Sequence, residues 1–329
     1  MGIWSIGIGT TNRCNLKCAH CYSREKAYSD LNYDQVKHII NNLDVESINF
    51  GTGENILNND YLRILDLIKE RNIKMGLTSN GYTVMKLPDS YLQYFNDIDI
   101  SLEFPSSEKQ SLFRGEGSWD TALAAIERCK KLDIETSIAC CMMNINVNDI
   151  PDFRMLMKEY DVNLRINTYK PVNTDEFVLT YEEFWNGFKN IMSSLRLVAC
   201  SEPIVNAVLG ISDSRSACGC GKKSLRVNPD GTILPCVYWN KSPYKIEDIQ
   251  AINENTFDYI RSIPKECKKC KYVQSCGGGC EGRRLHSDLN KPDEYCPFIR
   301  GDVIELPYVK AESKDLVHSS YLCTTIFCV

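Results

Sequence analysis

The sequence predicts an α/β protein in which parallel strands alternate with helices, followed by a small cysteine-rich domain. Two observations lead to this prediction. Short apolar runs that end in polar loops alternate with segments of helical periodicity across the first two hundred residues. The alternation stops after Pro203, where cysteine, glycine and lysine become frequent. We therefore expect one domain over residues 1–205, a second over 206–300, and a tail over 301–329 that docks on the first domain.

Six strand–helix units make up the predicted first domain. Strands are expected at residues 3–9, 47–50, 74–78, 97–102, 135–141 and 163–167. Helices are expected at about 36–43, 61–68, after Pro88, and at about 122–129, 151–160 and 181–195. Parallel strands joined by right-handed crossovers form a barrel, a partial barrel or an open doubly wound sheet. In each case the functional side chains belong at the carboxyl ends of the strands.

Composition excludes several classes of protein. With 329 residues, 43% of them apolar and 25% charged, the chain is long enough for roughly two globular domains. Its net charge of −5 gives no broad basic surface for nucleic acid. No apolar run approaches the roughly 20 residues that span a bilayer, and the first residues lack a secretion signal. We therefore expect a cytoplasmic protein, in which the 17 cysteines are metal ligands, reactive thiols or core residues.

The first cysteine cluster follows the first predicted strand. Cys14, Cys18 and Cys21 have the spacing C-x3-C-x2-C, which can bind three corners of a cubic iron–sulfur cluster. Three protein ligands leave the fourth iron open to a substrate or cofactor. A zinc site with His20 as a fourth ligand and a purely structural role are the alternatives.

At these residues the sequence resembles the radical S-adenosylmethionine (SAM) enzymes. The resemblance implies a [4Fe–4S] cluster that binds SAM and cleaves it to a 5′-deoxyadenosyl radical, on a partial (β/α)6 TIM-like barrel. Residues 52–55, Thr-Gly-Glu-Asn, match the family's Gly-Gly-Glu-Pro segment at two of four positions. The implied cofactor contacts are His20 at the adenine, Gly53 and Glu54 at the SAM ammonium, Ser79 and Asn80 on the same rim, Ser101 and Glu103 at the ribose, and Arg114 at the SAM carboxylate.

A second group of cysteines occupies the last third of the chain. Cys220 and Cys236 bracket Gly231, and the run C-x2-C-x5-C-x3-C begins at Cys267. Eight cysteines in this order suit two four-ligand sites, either iron–sulfur or zinc. The order resembles the SPASM extension of radical SAM enzymes, which carries two auxiliary iron–sulfur clusters. By that resemblance the first cluster is held by Cys218, Cys220, Cys236 and Cys280, and the second by Cys267, Cys270, Cys276 and Cys296.

Enzymes with this extension mostly modify ribosomally made peptides, so a precursor peptide is the expected substrate. Sulfatase maturases carry an aspartate directly after the cysteine that corresponds to Cys236, whereas this chain has Val237. Residues 51–55, 235–240 and 292–297 resemble maturases of precursors with nitrogen-fixation-type leaders, including spliceases. The chain enters its first strand at residue 3, which favours a separate leader-binding protein, and the chemistry needs a low-potential electron donor such as flavodoxin or ferredoxin.

Several points remain open at the level of sequence. A radical SAM dehydrogenase acting on a small molecule, and a non-catalytic electron carrier or zinc scaffold, are the competing functions. No catalytic acid or base is assigned: Tyr169, Tyr238 and Tyr272 could transfer protons, but packing is the favoured role for each. In the tail, Cys323 and Cys328 are expected to be buried, with a thiol or ligand role as the alternative.

Overall fold

A single ten-stranded sheet organises the molecule. The computed structural model describes residues 3–23, 27–211, 219–312, 316 and 323–329, so Cys218 lies outside the described residues. The strand order is β7-β10-β6-β5-β4-β3-β2-β1-β8-β9. The strands are β1 (Trp4–Ile8), β2 (Val45–Phe50), β3 (Lys74–Ser79), β4 (Asp97–Ser101), β5 (Glu135–Met142), β6 (Asn163–Thr168), β7 (Arg196–Cys200), β8 (Ser224–Val227), β9 (Ile233–Leu234) and β10 (Thr325–Cys328).

Helices connect the strands of the parallel part. They are α1 (Tyr33–Asn42), α2 (Tyr61–Glu70), α3 (Tyr82–Lys86), α4 (Asp89–Leu92), α5 (Ser107–Arg114), α6 (Ser118–Lys131), α7 (Phe153–Tyr160), α8 (Tyr181–Ser194) and α9 (Pro203–Leu209). Capping boxes begin two of them: Asn32 and Gln35 cap α1, and Thr180 and Glu183 cap α8. Each box satisfies backbone N–H groups that have no partner within the first turn of a helix.

The six predicted strand–helix units are confirmed. Strands β1 to β6 pair in parallel in sequence order, as right-handed β-α-β connections require. Among the described residues the edge strands β7 and β9 do not pair with each other, so the sheet is open. Periodicity missed α3 and α5, which are short helices at the functional rim, and it missed the four strands that follow β6.

The C-terminal third of the chain adds strands to both sides of the parallel sheet. Strand β8 pairs in parallel with β1, and β10 lies antiparallel between β6 and β7. The apolar core extends continuously from β1 and α1 to the region around Ile246 and Phe257. The C-terminal part is otherwise built from short pieces: 3₁₀ helices at Ile246–Ala251, Asp258–Arg261 and Lys265–Lys269, and helices α10 (Val273–Cys276), α11 (Glu281–Arg284) and α12 (Pro297–Arg300).

The part of the chain that the structure describes contains no candidate transmembrane helix. None of the helices found there combines the length and the apolar character needed to cross a bilayer.

Candidate functional site

A cavity of about 690 Å³ lies at the carboxyl ends of the parallel strands. Its size is typical of a small-molecule site. The cavity is lined by Cys14, Cys18 and Cys21 and by all eight expected cofactor contacts: His20, Gly53, Glu54, Ser79, Asn80, Ser101, Glu103 and Arg114. These residues come from the segments after β1, β2, β3 and β4. The parallel sheet therefore brings together groups that are up to a hundred residues apart in sequence.

The first cysteine loop follows β1 and is held by its own backbone. The Cys21 N–H donates to the Cys18 carbonyl at 3.2 Å, and the Leu16 N–H donates to Cys14 Sγ at 3.4 Å. Asn80 Nδ2 lies 3.7 Å from the same sulfur atom. N–H groups directed at sulfur stabilise a thiolate, which is the form that binds metal. Asn80 thus connects the predicted metal loop to the turn after β3.

Glu54 is buried and anchors that turn. Its carboxylate accepts hydrogen bonds from Ser79 Oγ (2.8 Å), the Asn80 N–H (2.6 Å), and both the N–H (3.0 Å) and the hydroxyl (2.6 Å) of Thr83. Burial raises its pKa, and these donors oppose the increase. The preceding residue, Gly53, has φ of +60°, and a Cβ there would lie 2.4 Å from the Arg13 carbonyl oxygen. Only glycine lets this segment pass so close to the first cysteine loop.

Glu103, Arg114 and His20 form one buried group. Arg114 makes a bidentate contact with the Glu103 carboxylate, with Nη2 at 2.8 Å from Oε1, and His20 Nε2 lies 3.4 Å from Oε1. Burial alone would raise the pKa of Glu103, but the Arg114 and His20 charges outweigh it and lower the pKa to about 2. His20 Nδ1 is buried without a hydrogen-bond partner in the described structure. A ligand in the cavity could satisfy this nitrogen.

Several cavity residues were missed at the level of sequence. Arg226, on β8, donates from Nη2 to the Gly51 carbonyl at 3.0 Å and also contacts Thr52. Lys170, just after β6, donates to the Thr168 carbonyl at 3.0 Å and lies with Nζ 4.3 Å from the centre of the Tyr238 ring. The available sequence signal for these two residues was a single lysine or arginine that follows or interrupts an apolar strand. Lys170 and Arg226 give the far wall of the cavity two buried positive charges.

The proposed proton-transfer tyrosines separate into two groups. Tyr169 and Tyr238 line the cavity, and Tyr169 donates to the Thr174 carbonyl at 2.7 Å. Tyr272 instead stacks on Phe298 with ring centres 3.8 Å apart. Cys141, near the carboxyl end of β5, also lines the cavity. Burial raises the pKa of its thiol to about 12, so it remains protonated at neutral pH.

The cysteines of the C-terminal part form two groups. Burial, and then the neighbouring thiols, raise the pKa of Cys267 to about 11; the thiols that contribute are Cys296, Cys276 and Cys270. These four thiols are therefore close enough to interact electrostatically, and their common metal site stays a prediction. In the other group the sulfur atoms of Cys220, Cys236 and Cys323 all lie within 4.8 Å of one another. Cys280 and Cys323 line a second, smaller cavity.

Comparison with known proteins agrees with this geometry. Residues 8–157 match the family model of the Radical SAM superfamily. These residues form a radical SAM domain. The match begins at the last residue of β1 and contains β2 to β5 and the first cysteine loop. It confirms the predicted enzyme class at the level of the superfamily. The family implies SAM and one [4Fe–4S] cluster. The three thiols after β1, the N–H groups directed at Cys14, and the unpartnered His20 nitrogen are a donor set that fits both groups.

Two relatives extend the similarity beyond the radical SAM domain. The mycofactocin maturase MftC of Mycolicibacterium smegmatis is 22% identical over 315 residues, covering 87% of this chain and 80% of the relative. The cysteine-type anaerobic sulfatase-maturating enzyme of Clostridium perfringens is 26% identical over 326 residues, covering 81% of this chain and 85% of the relative. The chain thus resembles maturases along most of its length.

Two solved structures share the fold. Native anSMEcpe with bound AdoMet and peptide superposes with a TM-score of 0.67 at 20% identity, covering 91% of this chain and 95% of that chain. SuiB of Streptococcus suis bound to the precursor peptide SuiA superposes with a TM-score of 0.64 at 16% identity, covering 91% of this chain and 76% of that chain. Both coverages extend past the radical SAM domain into the cysteine-rich part.

Proposed function

We propose that this protein is a radical SAM maturase that modifies a ribosomally synthesised peptide on a side chain or in the backbone. The observation that carries the proposal is the single cavity shared by the three cysteines after β1, all eight expected SAM contacts, and Cys220, Cys236 and Cys323 from the rest of the chain. Similarity to maturases over more than four-fifths of the chain supports the peptide as substrate.

The residues around the cavity have distinct roles in this proposal. When bound, the cluster and SAM would supply the radical chemistry needed to remove a hydrogen atom from the peptide. Cys14, Cys18 and Cys21 hold the cluster, and Glu54 fixes the Ser79–Asn80 turn beside it. A carboxylate oxygen can accept a second hydrogen bond, so Glu54 can also accept from the SAM ammonium. Arg114, oriented by Glu103, directs its positive charge towards the SAM carboxylate, and His20 and Ser101 contact the nucleoside.

The opposite wall is suited to peptide. Lys170, Arg226 and the hydroxyls of Tyr22 and Tyr238 are donors that can bind peptide carbonyl oxygens, and all four residues line the cavity. Their distribution on β8 and on the segments after β1, β6 and β9 holds the substrate between the two cysteine groups. Val237 follows Cys236 where a sulfatase maturase carries an aspartate base, and a valine transfers no proton. This favours a peptide precursor over a sulfatase as substrate.

We also propose two auxiliary iron–sulfur clusters in a SPASM-type domain over residues 206–300. The convergence of Cys267, Cys270, Cys276 and Cys296, and the separate convergence of Cys220 and Cys236, support two sites. Clusters of this kind need reduced thiols and a low-potential electron donor such as flavodoxin or ferredoxin, which favours the cytoplasm. A separate leader-binding protein and a precursor with a nitrogen-fixation-type leader complete the proposed system.

Cleavage of SAM tests the enzyme class directly. Anaerobically reconstituted protein should convert SAM to 5′-deoxyadenosine and methionine when reduced with dithionite. The Cys18→Ala variant should lose this activity together with about four iron atoms per chain, while the auxiliary iron remains. Chromatography of the nucleoside products and iron analysis measure both effects.

Cys129→Ala is the matched control, because Cys129 is buried in α6 and does not line the cavity. It should cleave SAM at the wild-type rate. Full SAM cleavage by Cys18→Ala would contradict the assignment. Mass spectrometry of precursor peptides coexpressed anaerobically with this chain then tests the substrate: an altered peptide mass supports the maturase, and turnover of a small molecule without any peptide overturns it.

A further inference from the structure

The C-terminal tail brings a cysteine to the first auxiliary site. We propose that Cys323 is a thiolate ligand of the metal centre that Cys220 and Cys236 also bind, in the position that the sequence resemblance implied for Cys218. This inference rests on the auxiliary clusters of the proposed function and assigns one of their ligands to a segment outside the SPASM-type motif.

The three sulfur atoms converge from distant parts of the chain. Cys323 Sγ lies 3.8 Å from Cys220 Sγ and 3.9 Å from Cys236 Sγ. Cys220 precedes β8, Cys236 follows β9, and Cys323 precedes β10. Cys220 and Cys236 are buried, and Cys323 is partly buried. Three soft donors gathered at one point are a metal site by the chemistry of thiolates.

Strand pairing fixes the position of Cys323. Two residues after it, Thr325 begins β10 and pairs with Ile166 on β6 and with Cys200 on β7. Between them the Thr324 carbonyl accepts hydrogen bonds from both the N–H (3.0 Å) and the hydroxyl (2.7 Å) of Ser201. Cys323 itself has φ of +59°, a conformation that is uncommon for residues other than glycine. The sheet thus presents this thiol to the site from a fixed turn.

The surroundings of Cys323 suit a negatively charged centre. Lys170 lines both cavities with Cys323, and Cys280 shares the smaller one. A buried cation near a group of thiolates offsets part of their mutual repulsion. Cys280, which lines the smaller cavity with Cys323, is the candidate for the remaining ligand, and the proposed set is Cys220, Cys236, Cys280 and Cys323.

The distances between the three sulfur atoms also indicate how the site must change when it binds a metal centre. Thiolates around one tetrahedral zinc ion, with bonds of about 2.3 Å, stand about 3.8 Å apart, whereas a cubic cluster holds its thiolates farther apart. Binding a cluster therefore requires the three sulfur atoms to move outward by side-chain rotation, because strand pairing holds the backbone at Cys323 in place. The tail is expected to be more firmly docked when the cluster is present.

Iron content and electron paramagnetic resonance test the ligand assignment. The background is the full chain carrying Cys14→Ala, Cys18→Ala and Cys21→Ala, so that all remaining iron belongs to the auxiliary centres. Adding Cys323→Ala should remove about four iron atoms per chain, or convert one cubane to a three-iron form, and should abolish or shift one of two reduced-cluster spectra. Adding Cys218→Ala should leave iron content and spectra unchanged.

Cys328→Ala in the same background is the matched control, because Cys328 lies on β10 in the same tail but outside the thiol group. Cys323→Ser, which keeps the side-chain volume, is measured alongside with circular dichroism to separate loss of a ligand from loss of fold. The proposal would be overturned if a folded Cys323 variant kept its iron content and spectra while Cys218→Ala lost iron and one of the spectra. A background protein without iron would refute the auxiliary clusters of the proposed function instead; if it held zinc, loss of that zinc in Cys323→Ala alone would still support the ligand assignment.

Discussion

Buried charged side chains at the cavity are held in place by hydrogen bonds within the protein, and Glu54 is the clearest case. A carboxylate that accepts four hydrogen bonds from Ser79, Asn80 and Thr83 fixes the turn after β3 before any ligand arrives. Arg114 is likewise oriented by Glu103. In the proposed function, binding of SAM would therefore cost little rearrangement, because the groups proposed to contact it are already ordered.

Glu54→Gln should therefore weaken both the fold of the turn and the binding of SAM. The amide nitrogen of glutamine cannot accept a hydrogen bond, so at least one buried donor loses its partner. We expect a loss of about 1–3 kcal/mol in the free energy of unfolding and roughly tenfold weaker SAM binding, measured by urea unfolding and equilibrium dialysis under anaerobic conditions. Glu108→Gln, on the exposed start of α5, should change neither quantity, and equal effects of the two substitutions would refute this role for Glu54.

Strands β4 and β6 carry a buried polar network on the interior face of the sheet. Asp97 and Asp99 alternate with apolar residues on β4, so both side chains point to the same face. Arg165 on β6 lies between them, with Nη2 2.8 Å from Asp97 and Nε 2.8 Å from Asp99. Burial raises the pKa of Asp99 to about 7, although the Arg165 charge opposes the increase. The folded protein thus holds a proton there that the unfolded chain releases at lower pH.

Stability should fall with rising pH because of this group. Its raised pKa means that the stabilising effect is complete below the unfolded pKa and is lost as pH rises through the folded value. Between about pH 6 and about pH 8 the wild-type protein should lose roughly 1 kcal/mol of unfolding free energy relative to Asp99→Asn, as measured by anaerobic urea unfolding. Ser137→Ala removes only a hydrogen bond to Arg165 and should keep the wild-type slope. A slope shared by wild type and Asp99→Asn would contradict the prediction.

On the scale of the whole molecule, the two parts depend on different forces. The radical SAM domain has long strands and helices over a continuous apolar core. The part after β9 has helices of four residues and short 3₁₀ turns, which are too short to be stable alone. Bound metal is a strong source of order for such a region, since metal binding contributes directly to the free energy of folding.

Removing iron should therefore loosen the C-terminal part selectively. After treatment with a chelator and oxidant, amide hydrogen exchange should accelerate over residues 265–300 and in β10, while β2 to β5 stay protected. Mass spectrometry of peptic fragments measures both regions in one experiment. The Cys18→Ala variant without chelator treatment is the control for loss of the first cluster alone. Unchanged exchange over 265–300 would show that metal does not order this segment.

The sequence by itself determined the features that depend on residues close together in the chain. The C-x3-C-x2-C loop, the Gly53–Glu54 turn and the six strand–helix units are short-range patterns, so spacing and periodicity were enough to predict them, and the parallel sheet then placed their residues on one rim. Tertiary structure alone decided three other features. Glu103 pairs with Arg114, and Lys170 and Arg226 enter the cavity. Cys323 approaches Cys220 and Cys236. These features depend on which strands lie side by side. Strand β10 pairs with β6 although it begins 157 residues after β6 ends. No local sequence pattern predicts this pairing, because strand pairing is selected by burial of the whole sheet.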